Sequence, residues 1–589
     1  MNRPNPAAGS ACYKVSFPEP WTHYAVVEAT FPTGGQATVE VFMAVWTPGS
    51  YLVREYARHV ECVAVVDGAG QPLTFSKSQK NRWRIETAGA GEMRFSYRVY
   101  CREMSVRTNW VEDSFALLNG APTFVTLAGG ETRPHDIRLI LPESWKTSVT
   151  GLAAAPGGEP HHYVAPDYDT LVDSPILAGN PVVHEFAVDG IPHYLANSGE
   201  DACWDGPRAA ADLRKIVESY RQMWGSLPYG KYVFLNLITE AGGGLEHGNS
   251  VCMMTNRWST GTRKAYLAWL SLASHEFFHV WNVKRLRPVE LGPFDYENEN
   301  QTKSLWVAEG ITDYYAPLLL RRADLSTRQE YLAGTEAGTG GLSGVINTLQ
   351  TTPGRLVQSV EQASFDAWIK LYRPDENSPN TTISYYTKGA VVAWLLDARI
   401  RKATGGRKSL DDAMRLAYTR YSGATGYTPE EFRAVAEETA GVSLRDFFRD
   451  AVESAGELDY SEALDWFGLR FKQPLCAVKK AWLGADTKTE HGRFVVSKVL
   501  RETPAYVSGI NVDDEILAIG EYRVRADQFS KRLENYRPGQ KVSVLVARRE
   551  KLMRIDVTLG EEPAKKWQLE VHPEASAEQR EHLDAWLGQ

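Results

Sequence analysis

The sequence contains few cysteines and no long apolar run. Six cysteines are spread over 589 residues without a CxxC pair, which predicts reduced thiols in a reducing compartment, with one or two disulfide bonds as the alternative. No run of 18 apolar residues occurs, so no membrane span and no membrane partner are expected. The opening segment, MNRPNPAAGSACYKVSFPEP, lacks the apolar stretch of a secretory signal, and a cytoplasmic location is therefore predicted.

An excess of positive charge is also lacking. The chain has 65 Lys and Arg residues against 73 Asp and Glu residues, with a net charge of −8. Because contacts to phosphates need clustered Lys and Arg, nucleic acid is not expected as a partner. Sequence repeats and low-complexity tracts are missing too. A single hydrophobic core rarely holds 589 residues, so three or four domains are predicted.

The sequence pattern divides the chain into four segments. Residues 1–185 contain β-branched and aromatic runs separated by turn signals such as PTGG and DGAGQP, which predicts an N-terminal β-sandwich. Residues 186–458 carry mainly helical periods and are assigned to a catalytic domain with a helical part. Residues 459–562 alternate short strands with short helices, and residues 563–589 form a C-terminal tail. The predicted fold class is multidomain α+β.

The third segment resembles a PDZ domain. Its stretch TPAYVSGINVDDEILAIG has the PDZ pattern of a small buried residue, a glycine and an acidic turn into an apolar strand. Residues 482–486, WLGAD, would be the loop that binds a peptide carboxylate. The resemblance implies peptide C-termini as ligands, and another small β-rich module is the alternative.

The run HEFFH, residues 275–279, predicts a metal site. On a helix, His275 and His279 lie on one face and can direct both imidazoles at one point. Glu276 lies beside them, and zinc lowers the pKa of a bound water to about 7, so a carboxylate can take its proton at neutral pH. This pattern predicts zinc ligands with Glu276 as the general base. Two core histidines on a buried helix are the alternative.

A catalytic zinc needs a third protein ligand. Glu309, in LWVAEGITDYY, follows His279 after 29 intervening residues on the next predicted helix. We rank it above the acids of the intervening insertion because a ligand works best on a rigid helix. The competing acids are Glu290, Asp295, Glu297 and Glu299.

Asp313 lies four residues after Glu309, on the same helical face. Thermolysin-like enzymes use an acidic residue at this spacing as the hydrogen-bond acceptor of a ligand histidine, which fixes the ring tautomer. The resemblance to thermolysin-like enzymes implies this role for Asp313. An exposed acidic residue on the helix surface is the alternative.

AGGGLEHGNS, residues 241–250, is a candidate substrate strand. Gly243 and Gly244 remove side chains, so that an extended peptide can approach the backbone. GGLEH resembles the Gly-x-Met-Glu-Asn segment of alanyl-type zinc aminopeptidases, in which the glutamate binds the free α-amine of the peptide. The resemblance implies this role for Glu246, with His247 as a further substrate contact, although Leu245 and His247 depart from the segment. A flexible turn is the alternative.

SYYTKGAVV, residues 384–392, resembles the Tyr-x-Lys-Gly segment of aminopeptidases of the thermolysin-like clan. Their tyrosine hydroxyl donates to the oxyanion of the tetrahedral intermediate, which implies this role for Tyr386. Tyr385 is the neighbouring residue that could have this role instead, and an ordinary aromatic residue at a helix start is the other alternative.

Taken together, HEFFHVWNVKRLRP, LWVAEGITDYY, GGLEHGNS, WTPGSYLVREYAR and the PDZ pattern resemble the glycyl aminopeptidase family, in the right order over almost the whole chain. The resemblance implies a thermolysin-like catalytic domain, one Zn2+ per chain and hydrolysis of the first peptide bond of peptides with a free N-terminal Gly or Ala. Asn282, Lys284 and Arg285 recur in the family motif. An ion pair with the acidic insertion is the simplest expectation for them.

Two other functions stay open. An endopeptidase of the same clan would need space beyond the first residue and no amine anchor, and Glu246 argues against it. A non-enzymatic scaffold would bind peptides only through the PDZ domain, and the complete set of catalytic residue types argues against that. The sequence predicts no oligomeric state.

Overall fold

The computed structural model describes residues 9–334, 341–472, 479–563 and 567–588. The chain divides into two units, of which the first comprises residues 1–302, 315–326 and 414–428 and the second the remainder. This division passes through the helices Ile311–Arg322 and Leu410–Tyr421. Cys476 lies outside the described residues, and the five described cysteines form no disulfide.

The first unit begins with two mainly antiparallel sheets that share one hydrophobic core. This confirms the β-rich N-terminal domain. In the strand Tyr24–Pro32 every second residue, from Ala25 to Phe31, is buried, as expected for a sheet with one face in the core. The strands of the larger sheet, in spatial order, are Ala153–Ala154, His162–Ala165, His135–Ile140, Ala11–Ser16, Tyr24–Pro32, Glu92–Tyr100 and Val60–Asp67. Those of the smaller sheet are Val125–Leu127, Thr38–Met43, Arg82–Glu86 and Thr74–Gln79.

Two further sheets complete the first unit. The four-stranded one has the order Thr147–Thr150, Ile176–Gly179, Phe115–Leu118 and Trp110–Val111. The five-stranded one has the order Val182–Val188, Ile191–Ser198, Tyr232–Thr239, Ser250–Asn256 and Gly243–Glu246. Its first strand runs across the predicted domain boundary at residues 185/186. The helices Gly206–Trp224 and Arg263–Phe278 follow strands of this sheet.

The second unit is helical around an inserted β domain. A π-helical turn, Trp306–Gly310, leads into the helix Ile311–Arg322. Before the inserted β domain, the described α-helices that belong wholly to this unit are Arg328–Ala333, Gly341–Thr351, Val360–Phe365, Ser378–Thr381, Tyr385–Thr404, Pro429–Ala440, Arg445–Phe448 and Ser461–Trp466. Helix Tyr385–Thr404 is buried over most of its length, which explains its run of apolar residues on all sides.

The predicted PDZ domain has its own apolar core and is inserted between two paired strands, Leu469–Phe471 and Leu569–Val571. The order of its main strands is Ala485–Glu490, Arg493–Val499, Glu515–Ile519, Lys541–Arg548 and Lys551–Thr558. Short helices span Pro504–Ser508 and Phe529–Leu533. The fold class is therefore multidomain α+β, as predicted.

The segment expected as a C-terminal tail forms part of the second unit. It contributes the strand Leu569–Val571 and the helix Ala577–Leu587. Trp586 is fully buried, and its indole donates to the hydroxyl of Tyr314, which in turn donates to Asp397. These bonds join the last helix to Ile311–Arg322 and Tyr385–Thr404, the helices of two candidate site segments.

No helix in the described ranges combines the length and the apolar character that crossing a bilayer requires.

Candidate metal and substrate site

The helix Arg263–Phe278 carries the HEFFH residues. Thr262 caps its start by accepting a hydrogen bond from the backbone N–H of Ala265 at 3.2 Å. Near its end, Phe277 and Phe278 are fully buried against the rings of Tyr220 and other aromatic residues. This packing fixes the rotation of the helix, and with it the face that presents the histidines.

The two histidines converge. Nε2 of His279 lies 3.1 Å from Nε2 of His275. Nδ1 of His279 lies 2.9 Å from the carbonyl oxygen of Asn282 and must donate to it, so Nε2 of this ring carries the lone pair in the neutral form. A carbonyl acceptor of this kind orients ligand histidines in zinc proteins.

The donor set suits zinc. Two imidazole nitrogens bound to one tetrahedral ion at about 2.05 Å would lie about 3.3 Å apart. The observed 3.1 Å separation is close to this value. Two imidazole nitrogens at this separation therefore fit a zinc ion, and His275 and His279 are the residues of the first unit that would hold it.

Two carboxylates border the histidine pair. One oxygen each of Glu246 and Glu276 and one ring nitrogen of His279 lie within 4.8 Å of one another. The exposed fractions of these three residues are 4%, 5% and 1%, so all three are withdrawn from bulk solvent. The general base and the amine anchor predicted from the sequence are thus brought to one place, beside one predicted metal ligand.

The structure gives a reason for glycine at position 244 that differs from the expected access for a peptide. A Cβ added there would collide with the carboxylate of Glu276 and lie 2.6 Å from its Cγ. Gly244 therefore lets the strand Gly243–Glu246 pass directly over Glu276. Gly243, by contrast, has open space around its missing side chain and a φ of +117°. Glycine at position 243 therefore suits the positive φ rather than a close contact, and its role beside a peptide stays a prediction.

The Glu246 carboxylate makes no hydrogen bond or ion pair with any residue in the described ranges, although it is 96% buried. A buried carboxylate without a donor is unfavourable, because the ionised form loses its hydration. A ligand that brings a cation with N–H donors would offset that cost. The strand Gly243–Glu246 is also the last of its sheet, with no further strand paired to it among the described residues.

His247 points into a polar cluster rather than standing alone. Its Nδ1 lies 3.0 Å from Oδ1 of Asp173, and Nζ of Lys284 lies 2.6 Å from the same oxygen. The backbone N–H of Gly248 donates to the other carboxylate oxygen at 2.8 Å. Asp173 thus connects the segment at the end of the strand Gly243–Glu246 to the segment after HEFFH. No sequence motif marks Asp173, so its part in this cluster could not be predicted from the sequence.

The expected ion pair between Lys284 and the acidic insertion is wrong. Lys284 is paired instead with Asp173, more than 100 residues earlier in the chain. Arg285 donates to the carbonyl oxygens of Gly248, Val280 and Pro228. Lys284 and Arg285 therefore connect the turn after HEFFH to the segment that follows Glu246. Lys284 does so through Asp173, and Arg285 through the carbonyl oxygen of Gly248.

We expect Asp173→Asn to lower the free energy of unfolding at neutral pH by about 2 kcal/mol. Burial disfavours the charged form of Asp173, but the ammonium of Lys284 and the hydrogen bond from His247 outweigh it and lower its pKa to about 2. Since an unfolded aspartate titrates near 4, this contribution is complete above about pH 4 and is lost as the pH falls through 2. Urea unfolding of both proteins between pH 7 and pH 3 measures it.

The control for this pH series is Asp189→Asn, which removes an exposed pair with Arg221. Exposed pairs contribute little, so this variant should follow the wild type at every pH. A deficit of Asp173→Asn that stays constant down to pH 3 would contradict the assignment.

The competing acids of the insertion are engaged elsewhere or exposed. Glu297 pairs with Arg82 and accepts from Asn81 at 2.9 Å. Glu290 accepts from the hydroxyl of Thr302 at 3.0 Å. Asp295 accepts from neighbouring backbone N–H groups, and Glu299 is exposed. Within the described ranges none of the four belongs to a group of converging metal-ligand atoms.

The second unit carries the other predicted site residues. Glu309 is buried within the π-helical turn, and turns of this kind are frequent at functional sites. Asp313 lies in the next turn and is half-buried. Tyr386 is half-buried at the start of its helix, whereas Tyr385 is fully buried.

Within this unit two glycines bring these segments together. A Cβ at Gly310 would lie 2.5 Å from Cα of Gly389 and 2.7 Å from the carbonyl oxygen of Tyr385. The turn with Glu309 and the helix start with Tyr386 therefore meet backbone to backbone. The glycine of Tyr-x-Lys-Gly has this packing role.

Three protein-family models match the chain. They are the Peptidase M61 N-terminal domain over residues 12–180, M61 glycyl aminopeptidase over residues 268–392, and a PDZ domain over residues 481–559. The comparison with curated proteins gave no match.

Solved structures are similar over most of the chain. An aminopeptidase N family protein from Idiomarina loihiensis is 28% identical with a TM-score of 0.90, over 98% of this chain and 100% of that one. An M1 zinc metallopeptidase from Deinococcus radiodurans is 12% identical with a TM-score of 0.47, over 77% of this chain and 94% of that one. Legionella pneumophila aminopeptidase A, in complex with aspartic acid, is 13% identical with a TM-score of 0.47, over 83% of this chain and 51% of that one.

Proposed function

We propose, from the premise that this chain belongs to the M61 glycyl aminopeptidase family and is a metallo-aminopeptidase, that it uses one Zn2+ per chain to remove N-terminal glycine or alanine from peptides. The observation that carries the proposal is the Glu246 carboxylate, which is buried beside Glu276 and His279 and has no hydrogen-bond partner among the residues that the structure describes. The α-ammonium of a peptide brings the missing positive charge and donors. Because only the first residue of a peptide has an ammonium, this anchor favours cleavage of the first peptide bond.

His275, His279 and Glu309 are the proposed zinc ligands. The imidazole geometry supports the first two, while Glu309 follows from the family resemblance, its burial and its position in a π-helical turn. When bound, zinc supplies a Lewis acid that polarises the scissile carbonyl and acidifies a water molecule. Asp313 is proposed to accept a hydrogen bond from a ligand histidine, from the resemblance alone.

The other roles belong to side chains of this chain. Glu276 takes a proton from the attacking water and passes it to the leaving amine. The Tyr386 hydroxyl donates to the oxyanion, and one such donor contributes on the order of 3 kcal/mol. Its half-buried position supports it over the fully buried Tyr385. Gly243 provides the open backbone along which the peptide lies, and His247, fixed by Asp173, stays a predicted substrate contact.

We also propose that the PDZ domain binds peptide C-termini. Its strand Ala485–Glu490 ends the sheet, with no further strand paired to it in the described part of the chain, and an extended peptide can add at such an edge. The predicted carboxylate loop, WLGAD, leads into this strand.

A panel of aminoacyl-4-nitroanilides tests the aminopeptidase activity, with zinc measured on the same sample. We expect close to one zinc per chain and a kcat/KM for glycyl and alanyl substrates at least about tenfold above that for leucyl and arginyl substrates. N-acetyl-glycyl substrate should be inert, because it lacks the ammonium. Cleavage of blocked peptides would instead establish an endopeptidase, and a protein without zinc or turnover would leave the PDZ scaffold.

Longer glycyl peptides with a free or an amidated C-terminus test the PDZ proposal in the same assay. A higher kcat/KM for the free acids is expected if the PDZ domain captures the carboxylate. Equal values for both series would contradict this role without affecting the aminopeptidase proposal.

A further inference from the structure

A tight turn of the N-terminal domain lies against the amine anchor. The turn is Thr47–Ser50, and the backbone N–H of Ser50 donates to the carbonyl oxygen of Thr47 at 3.1 Å. Pro48 occupies its second position, and Gly49, with a φ of +85°, occupies its third. These features define a type II β-turn, in which the third position requires positive φ and therefore favours glycine.

Hydrogen bonds and buried side chains of the flanking residues fix the position of the turn. Ser50 is fully buried, and its hydroxyl accepts from the guanidinium of Arg54 at 2.9 Å. The backbone N–H of Arg54 donates to the carbonyl oxygen of Val45 at 2.7 Å. Trp46 is fully buried, and its indole donates to the carbonyl oxygen of Asp295. A turn with these anchors is a rigid surface.

That surface meets Glu246. A Cβ added at Gly49 would collide with one carboxylate oxygen of Glu246 and would lie 2.6 Å from the other oxygen and 2.7 Å from Cδ. The carboxylate therefore lies flat against the backbone of the turn. Glycine at this position meets two separate demands, the positive φ and the space taken by the carboxylate.

We propose that Gly49 is a positioning residue, and that the turn Thr47–Ser50 orients the Glu246 carboxylate to receive the α-ammonium of the substrate. No hydrogen bond or ion pair holds this carboxylate among the described residues, so packing against the turn limits its rotamers. A preoriented carboxylate loses less conformational freedom when the ammonium binds. The N-terminal domain thus contributes to amine recognition. The inference deepens the proposed function and rests on the role of Glu246.

Gly49→Ala and a matched control, Gly70→Ala, test this inference with glycyl-4-nitroanilide. Gly70 has nearly the same φ, +83°, but nothing lies within 4 Å of its missing Cβ. Both variants introduce the same backbone strain, and only Gly49→Ala displaces Glu246. We expect KM to rise about tenfold or more in Gly49→Ala, with a smaller change in kcat, and both constants to stay near wild type in Gly70→Ala.

A double-mutant cycle separates positioning from general destabilisation. Glu246→Asp shortens the side chain by one methylene and withdraws the carboxylate from the added methyl group. The KM increase caused by Gly49→Ala should therefore be smaller in the Glu246→Asp background. If Gly49→Ala does not fold, Pro48→Ala loosens the turn without adding an atom at Glu246. For Pro48→Ala we then expect a several-fold rise in KM, while the midpoint of its thermal unfolding stays at the wild-type value.

The outcomes distinguish this inference from the proposed function. If Glu246→Ala leaves KM unchanged, the amine anchor itself is wrong and the proposed function fails. If Glu246→Ala raises KM but Gly49→Ala behaves like Gly70→Ala, only the positioning role is overturned. Additive effects in the cycle, or a Pro48→Ala variant with wild-type KM, would overturn it as well.

Discussion

Glu276→Gln is expected to lower kcat by about 10²–10⁴-fold while the zinc content stays at the wild-type value. Glutamine has the shape of glutamate, so it should keep the close packing under Gly244, but its amide cannot accept a proton from water at neutral pH. The loss should fall on kcat rather than on KM, because the carboxylate acts on the attacking water and not on the substrate's binding groups. Steady-state kinetics on glycyl-4-nitroanilide together with metal analysis measures both quantities.

Glu297→Gln is a matched control for this variant. Glu297 is a half-buried glutamate of the first unit, but it pairs with Arg82 and belongs to no cluster of ligand atoms in the described ranges. Its replacement should change stability more than kcat. A Glu276→Gln enzyme with wild-type kcat would remove Glu276 from proton transfer and leave the HEFFH segment without its proposed chemistry.

Glu246→Gln is expected to lower kcat/KM on free-amine substrates by about 10²–10³-fold, mainly through KM. The wild-type carboxylate is 4% exposed, so its pairing with the substrate ammonium takes place away from bulk water. Removing one partner of a buried charge pair costs about 2–5 kcal/mol, and about 3–4 kcal/mol corresponds to this loss. The measurement compares glycyl and N-acetyl-glycyl substrates in both proteins.

The blocked substrate gives this experiment its specificity. Without the carboxylate, the preference for the free amine over the acetylated substrate should shrink, because both then meet a neutral side chain. Glu240→Gln is the control, since Glu240 lies six residues earlier in the chain and is largely exposed. An unchanged ratio of free to blocked turnover in Glu246→Gln would contradict amine recognition by this residue.

Much of the architecture could be predicted because it depends on local periodicity. Strands such as Tyr24–Pro32 alternate buried and outward residues, and Arg263–Phe278 combines an N-cap with an apolar face. The small residues and the acidic turn of the PDZ pattern are likewise neighbours in sequence. The expected C-terminal tail differs, because the burial of Trp586 depends on helices that lie about 190 and 270 residues away.

The role of individual glycines could not be predicted at the same level. Gly243 and Gly244 are adjacent and alike in sequence, yet one faces open space and the other faces Glu276. The strand passes over Glu276 at Gly244 and not at Gly243, so its register against the helix decides which glycine is required. The contact that explains Gly389 is similar, because it depends on the approach of Gly310 from another segment.

By itself, the sequence determined which side chains share a helical face. The spacing of His275 and His279 brings their ring nitrogens to 3.1 Å, since four residues make about one helical turn. Only the tertiary structure decided which partners surround that pair. Glu246 rests on Gly49 from nearly 200 residues earlier, and Lys284 meets Asp173 across 111 residues. Contacts of this kind depend on how sheets and helices pack, and packing is a property of the whole core rather than of any local segment.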